Sequence, residues 1–282
     1  MSEIENPKVG DNYVLPTGEK DAARLEIIHD VYKLAGERAM LSACIPQGAT
    51  VADVGCGTGP VTLWLAGQVG SKGRVDAVDV DAAQLAIAKK RITPSASGKE
   101  NLLGEVNFHA QSVYELDLPR GAYDLVFSRF LLCHLQRPED ALQRMFDILR
   151  PGGHLVIVDI DMPSMFTIPP SDIYAEIINL SMKGGKARGV DYQIGLRLPV
   201  MFVEAGFEHV ELELAQPIYR TGANKQLWEQ TFRNAAPSLI AGGITTQAQV
   251  DALFKRMAQF AADETTWIAQ VRATVVTGKK PA

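Results

Sequence analysis

The stretch Asp53-Val54-Gly55-Cys56-Gly57-Thr58-Gly59 lies between an apolar run, Ala49 to Val54, and a segment of helical pattern that opens at Pro60. Glycines at alternate positions let the chain turn tightly and bring backbone N–H groups close to a ligand, with no Cβ in the way. The helix that follows offers unpaired N–H groups and the positive end of its dipole. Pro60 suits its first turn, where the missing N–H would be unpaired anyway. A strand, a glycine loop and a helix in this order commit the chain to a βα unit.

The pattern then repeats. Strands are expected at residues 49–54, 74–80, 105–111, 123–128 and 154–160, and helices at 60–69, 82–91 and 138–149, with Arg150-Pro151-Gly152-Gly153 as a turn. This alternation predicts a parallel sheet covered on both faces. Ahead of it, residues 20–44 carry apolar residues at helical spacing. Behind it the pattern is mixed over 162–190, with helical signals at 172–182. It is then helical at 198–205, alternating at 210–214, helical from 225 to 272 with a break at Gly242-Gly243, and alternating again at 273–277. Three regions follow: an N-terminal helical lid at 1–45, a binding core at 46–161, and substrate-side segments at 162–282 that complete the same domain.

Bulk composition excludes several classes. The chain has 282 residues and a formal charge of −5, so no basic field invites nucleic acid. Cys44, Cys56 and Cys133 are three isolated cysteines, which form neither a disulfide framework nor a metal knuckle. No metal is expected. No apolar run approaches the ~18 residues of a membrane span, and Met1 to Asp11 lacks an apolar signal core. The expectation is a cytoplasmic protein with neither a nucleic-acid nor a membrane partner.

The glycine spacing narrows the ligand. Dinucleotide loops read G-x-G-x-x-G, with pyrophosphate on the helix end. Here the glycines fall at 55, 57 and 59, and Pro60 occupies the sixth position. Asp53, two residues before the first glycine, suits an ammonium group better than a pyrophosphate. Asp79 ends the second strand, where a carboxylate can accept from both ribose hydroxyls. Asp81 competes for that role, but it is well placed to cap the helix that starts at Ala82.

Four segments now carry a resemblance. Val51-Ala52-Asp53-Val54-Gly55-Cys56-Gly57-Thr58-Gly59, then Ala77-Val78-Asp79-Val80-Asp81, Tyr123 to Phe130, and Leu149 to Leu155 resemble, in order and spacing, successive motifs of the class I S-adenosylmethionine-dependent methyltransferases. The resemblance covers about residues 48–161. It implies a Rossmann-like, seven-stranded, mostly parallel sheet with an antiparallel last strand, matching the late alternating segments. It also implies S-adenosyl-L-methionine as cofactor. The loop of Gly55, Cys56, Gly57 and Gly59 would contact the methionine part, Asp79 the ribose and Val80 the adenine. Where the family often has Asp after the third strand, this chain has Ser112, followed by Val113. A hydroxyl can still accept from the adenine amino group, and the Val113 N–H can serve a ring nitrogen. Arg129 falls where the family lines the methionine end.

Methyl transfer from a sulfonium needs alignment and a dry site more than a catalytic dyad. His134, just past the fourth strand, is a candidate general base, weighed against a packing or capping role. Tyr13 is the second catalytic candidate. With Arg24 it resembles the N-terminal lid of some small-molecule methyltransferases, weighed against simple packing. Cys56 reads as a small filler rather than a nucleophile. Phe166, Tyr174, Tyr192, Tyr219, Trp228 and Phe232 are available to line an aromatic acceptor pocket, although such residues more often build core. The expected function is methylation of a small-molecule acceptor at carbon, oxygen or nitrogen, an aromatic or secondary metabolite among the candidates. The helical insertion before the last strand could support a homodimer. Two alternatives stay open: a nicotinamide-dependent oxidoreductase, disfavoured by Pro60, and a cofactor-binding protein without catalysis.

Overall fold

Val51, Ala52 and Val54 are wholly removed from solvent, as expected of a central strand with both faces covered. The computed structural model describes residues 21–92 and 103–282, so Tyr13 lies outside the described residues. The first half alternates as expected: α1 (Ala22–Ser42), β1 (Thr50–Val54), α2 (Pro60–Val69), β2 (Arg74–Asp79), α3 (Ala82–Ile92), β3 (Glu105–Ala110), β4 (Tyr123–Arg129), α4 (Pro138–Ile148) and β5 (Leu149–Asp161). The second half adds β6 (Phe166–Ile168), α5 (Asp172–Arg188), α6 (Ile194–Glu204), β7 (Glu208–Ala215), β8 (Ile218–Tyr219), α7 (Leu227–Ala241), α8 (Gln247–Ala262), β9 (Trp267–Ala269) and β10 (Arg272–Lys279).

Seven strands form one sheet in the order β3-β2-β1-β4-β5-β10-β7. Every pair from β3 to β5 is parallel, and β10 runs antiparallel between β5 and β7. Helices flank it, so the Rossmann-like expectation is met. Strand order reverses between β1 and β4. The loops leaving these two strands therefore diverge, and a crevice opens at their carboxyl ends.

Several local expectations are corrected. Arg150 to Gly153 is not a turn but part of β5. Tyr123 faces Leu149 and Leu125 faces His154, so the residues between 149 and 154 bulge out of register. Gly152, at φ 75°, donates to the Lys280 carbonyl at 2.9 Å, and the Lys280 N–H donates to Gly153 at 2.8 Å. Pairing with the chain end thus keeps the segment in the sheet. The helix expected at 172–182 runs on to Arg188 despite Gly184 and Gly185. An added Cβ would stand 2.5 Å from Leu239 at the first and 2.9 Å from Tyr192 at the second, so these glycines are places of close packing rather than breaks. Similarly, α6 begins four residues before Leu198, because Gly195 lets its first turn rest on the backbone of β5.

The helix expected to reach Arg272 stops at Ala262. Beyond it Trp267–Ala269 forms β9, the middle strand of a small sheet ordered β6-β9-β8 that sequence reading did not foresee. Thr265, Thr266, Trp267 and Ile268 are β-branched or aromatic, a composition that suits a strand. Helices α5, α7 and α8 pack on one another, and α7 also packs on α1. Together they build a helical layer next to the crevice.

Candidate active site

Gly55, Gly57 and Gly59 all have positive φ, at 78°, 55° and 78°. Two of them show why glycine is needed. A Cβ on Gly59 would stand 2.7 Å from the Ala88 Cβ, so α3 could not approach α2. A Cβ on Gly57 would meet no atom within 4 Å; it would project into open space in the crevice. Arg91 fastens the loop from outside: its Nε donates to the Thr58 carbonyl at 2.9 Å, and its guanidinium pairs with Glu26 of α1.

Asp79 stands across this loop. Its two oxygens accept from the Gly57 and Asp81 N–H groups, each at 2.9 Å, and its pKa is raised by burial against those bonds. Asp81 turns to α3, where one oxygen accepts from Ala83 at 2.7 Å and Gln84 at 3.2 Å. The capping role expected of Asp81 is thus present in the geometry. A carboxylate has about four lone-pair sites, so Asp79 keeps acceptor capacity for a ligand.

Asp53 is 2% exposed and accepts from the Thr62 hydroxyl at 2.6 Å. Burial pushes its carboxyl up to about 6, opposed by the Thr62 hydroxyl and by Arg129. Burial brings the Arg129 guanidinium down to about 10, which leaves it charged at neutral pH, and its Nη2 lies 3.3 Å from His29 Nδ1. Cys56 is buried, and burial raises its thiol well above the ordinary range, which suits a filler and not a nucleophile.

Asp53, Gly55, Cys56, Gly57, Asp79, Val80 and Arg129 line one cavity of about 440 Å³, at the carboxyl ends of β1, β2 and β4. Gly59 stands at the start of α2 behind this lining. Ser112 and Val113 are not among the lining residues. The Ser112 hydroxyl instead accepts from the Tyr114 N–H at 3.3 Å and caps a short 3-10 turn. Sequence reading missed Gln84, Tyr114 and Arg137, which do line the cavity. Gln84 is 4% exposed, and its Oε1 has no hydrogen-bond partner among the described residues. A helical residue three past the recognised motif gives no sequence signal of that kind.

A second cavity, of about 110 Å³, adjoins the first and shares Arg24, Ile28, Phe130 and His134 with it. Phe130 takes φ 53°, strained for a non-glycine residue, and stands edge-on to Tyr32 at 5.0 Å. That backbone turn places its ring in the wall common to both cavities. His134 ends a 3-10 turn after β4, and its ring stands edge-on to Tyr192 at 5.9 Å. Burial, with help from Arg24 and Arg188, lowers its imidazole to about 3. Of the six aromatics singled out in the sequence, Tyr192, Trp228 and Phe232 line this second cavity, while Phe166, Tyr174 and Tyr219 do not.

A family model described as a methyltransferase domain matches residues 52–157. A ubiquinone/menaquinone biosynthesis C-methyltransferase of Hydrogenovibrio crunogenus is 27% identical over 209 residues, which span 67% of this chain and 80% of that protein. Its counterpart in Shewanella sediminis is 26% identical over 213 residues, again 67% of this chain and 80% of that protein. By these matches the chain is similar to methyltransferases.

Solved structures share this chain's fold. The Bacillus halodurans protein BH2331 matches with a TM-score of 0.59 at 18% identity, covering 87% of this chain and 98% of that one. Phosphoethanolamine N-methyltransferase 2 of Haemonchus contortus, in complex with S-adenosylhomocysteine, matches at 0.52 and 18%, covering 96% and 55%. The [4+2]-cyclase SpnF also overlays, at 0.55 and 16% identity over 96% of this chain and 98% of that one, so these structures speak for the fold alone. Neither a nicotinamide oxidoreductase nor a non-catalytic binder finds support among these relatives. Among the described residues, no helix is long and apolar enough to cross a membrane.

Proposed function

We propose that the larger cavity holds S-adenosylmethionine and the smaller one the methyl acceptor, with transfer across the wall they share. The observation that carries this reading is the common lining of Arg24, Ile28, Phe130 and His134. The fit of the cofactor rests on three features of this chain. The Gly57 position opens onto the cavity, Asp79 retains acceptor capacity, and Gln84 Oε1 is an enclosed acceptor without a protein partner. Asp79 would take the ribose hydroxyls and Gln84 a further hydroxyl or amino proton. Val80 would lie on the adenine. The loop N–H groups and Arg129 would hold the methionine carboxylate, and Asp53 its ammonium group. Ser112 and Val113, expected at the adenine edge, stand back from the cavity, so Gln84 takes precedence in this assignment.

The cofactor supplies an electrophilic methyl group. The chain's own contribution is orientation and exclusion of water. A histidine lowered to about 3 is a weak proton acceptor at neutral pH, so His134 serves the acceptor as a neutral wall residue rather than as its base. Arg24 stands at the junction of the two cavities. The relatives named above act in quinone biosynthesis as C-methyltransferases. An aromatic or other ring-bearing acceptor is the corresponding reading here, supported by Tyr192, Trp228 and Phe232. A homodimer is the assembly to test, and a single-chain mass at micromolar concentration in sedimentation would end it.

Calorimetric titration of S-adenosylhomocysteine tests the cofactor site, with NADH as control. Micromolar binding is expected in the wild type, weakened at least about 10-fold in Asp79→Ala, where a charge-assisted contact to the ribose is gone. Normal binding by the variant would move the ribose away from Asp79. Binding of NADH in place of the homocysteine would remove the assignment altogether.

A further inference from the structure

The smaller cavity carries information about the acceptor that rests on the methyl-transfer reading and narrows it. Its walls are mostly apolar, from Met162, Leu227, Phe232, Leu239 and Val271 among others. Yet two of its lining residues carry enclosed donors. The Nε of Arg188 and the Nε1 of Trp228 are both buried, and neither has a hydrogen-bond partner among the described residues. Such groups are costly to leave unpaired and are uncommon in folded proteins. Both are donors only, so the missing partner must be an acceptor.

Charge points the same way. Arg24, the other cation in the wall, is neutralised by Asp21, with Nε–Oδ1 at 2.7 Å and Nη2–Oδ2 at 2.5 Å. Arg188 makes no such pair among the described residues. Its Nη2 donates to the Tyr192 hydroxyl at 2.6 Å, and its guanidinium lies 5.8 Å from the same ring's centre. Among the described residues, no Asp or Glu lines the cavity. An apolar chamber with one uncompensated guanidinium and two idle N–H groups is complementary to a small organic anion. We infer that the methyl acceptor is a ring-bearing, otherwise apolar molecule with an acidic oxygen, as in a carboxylate, phenolate or enolate, that accepts from Arg188 Nε and Trp228 Nε1.

The test compares acids with neutral alcohols of the same shape. Benzoate, 1-naphthoate and 2-naphthoate are titrated beside benzyl alcohol and the two naphthalenemethanols, by calorimetry and by quenching of tryptophan fluorescence. Each titration is run with and without S-adenosylhomocysteine. At least one acid should bind about 10-fold or more tightly than its alcohol. In Arg188→Met that preference should fall below about 3-fold, and in Trp228→Phe the acid should weaken while the alcohol does not. Affinity for S-adenosylhomocysteine should be unchanged in both variants, which also shows that they fold. Should Arg188→Met fail to fold, Trp228→Phe decides by the same comparison. The inference is overturned if no acid binds more tightly than its alcohol, or if the preference survives both substitutions. Failure of the wild type to bind S-adenosylhomocysteine would strike the cofactor reading instead. The titrations without it would still decide this one.

Discussion

At the scale of single residues, the site is governed by what burial does to charge. Asp53, raised to about 6, is partly protonated in mildly acidic solution. A ligand ammonium favours its charged form, so binding below that pH must release a proton. Affinity for S-adenosylhomocysteine should therefore fall as pH drops through about 6, by up to about 10-fold per unit. Proton release, read by calorimetry in buffers of different ionisation enthalpy, should vanish in Asp53→Asn. An affinity flat from pH 7 to 5 would place the ammonium elsewhere. The same shift bears on stability with the opposite sign from the common carboxylate case. The native carboxyl holds its proton more tightly than the unfolded one, so Asp53 disfavours the fold increasingly as pH rises from about 4 to about 6. His134 gives a second prediction. As a neutral wall residue it should tolerate His134→Gln with less than about 10-fold loss in kcat/KM and no change in the pH profile from 6 to 8. A general base would cost about 100-fold or more.

At the scale of elements, one loop contains two glycines with different duties. Gly59→Ala must place a Cβ 2.7 Å from Ala88 and also hold a left-handed backbone. A loss of about 2 kcal/mol or more in chemical denaturation is expected, because α2 and α3 must part. Gly57→Ala bears only the backbone cost of about 1 kcal/mol, since its Cβ meets nothing within 4 Å among the described residues, but on the proposed assignment the methyl stands at the wall of the cofactor's cavity. It should lose S-adenosylhomocysteine binding while remaining folded. Equal stability losses in the two variants would contradict this division. Much of the element order was legible because each strand and helix of the first half carries its own period and its own punctuation. Pro60 opens α2 where its sequence position says it should. The exceptions are cases in which a distant contact reassigns a local signal. Helical signals in the sequence extend only as far as residue 182, whereas Gly184 and Gly185 let α5 run on and pack against Leu239 and Tyr192. Gly152 and Gly153 read as a turn and instead hydrogen-bond to the chain near Lys280.

At the scale of the whole molecule, the sheet sets where chemistry can occur and the helical layer sets on what. Reversal of strand order between β1 and β4 opens the crevice, and the first glycine motif lies on one side of it. Helices α1, α5 and α7, distant in sequence, close the neighbouring cavity with Arg24, Arg188 and Trp228. The sequence by itself determined the parallel α/β core, the glycine loop and the carboxylates beside it. These are local: a strand, a turn and a helix dictate their own geometry, and a residue at a strand's end can be placed by counting. Only the tertiary structure decided that Ser112 stands back while Gln84 comes forward. It also decided that β9 pairs with β6 and β8, and that Arg188 and Trp228 share a wall. Their meeting depends on packing between segments tens of residues apart, where side-chain volume and burial, rather than periodicity, select the contact.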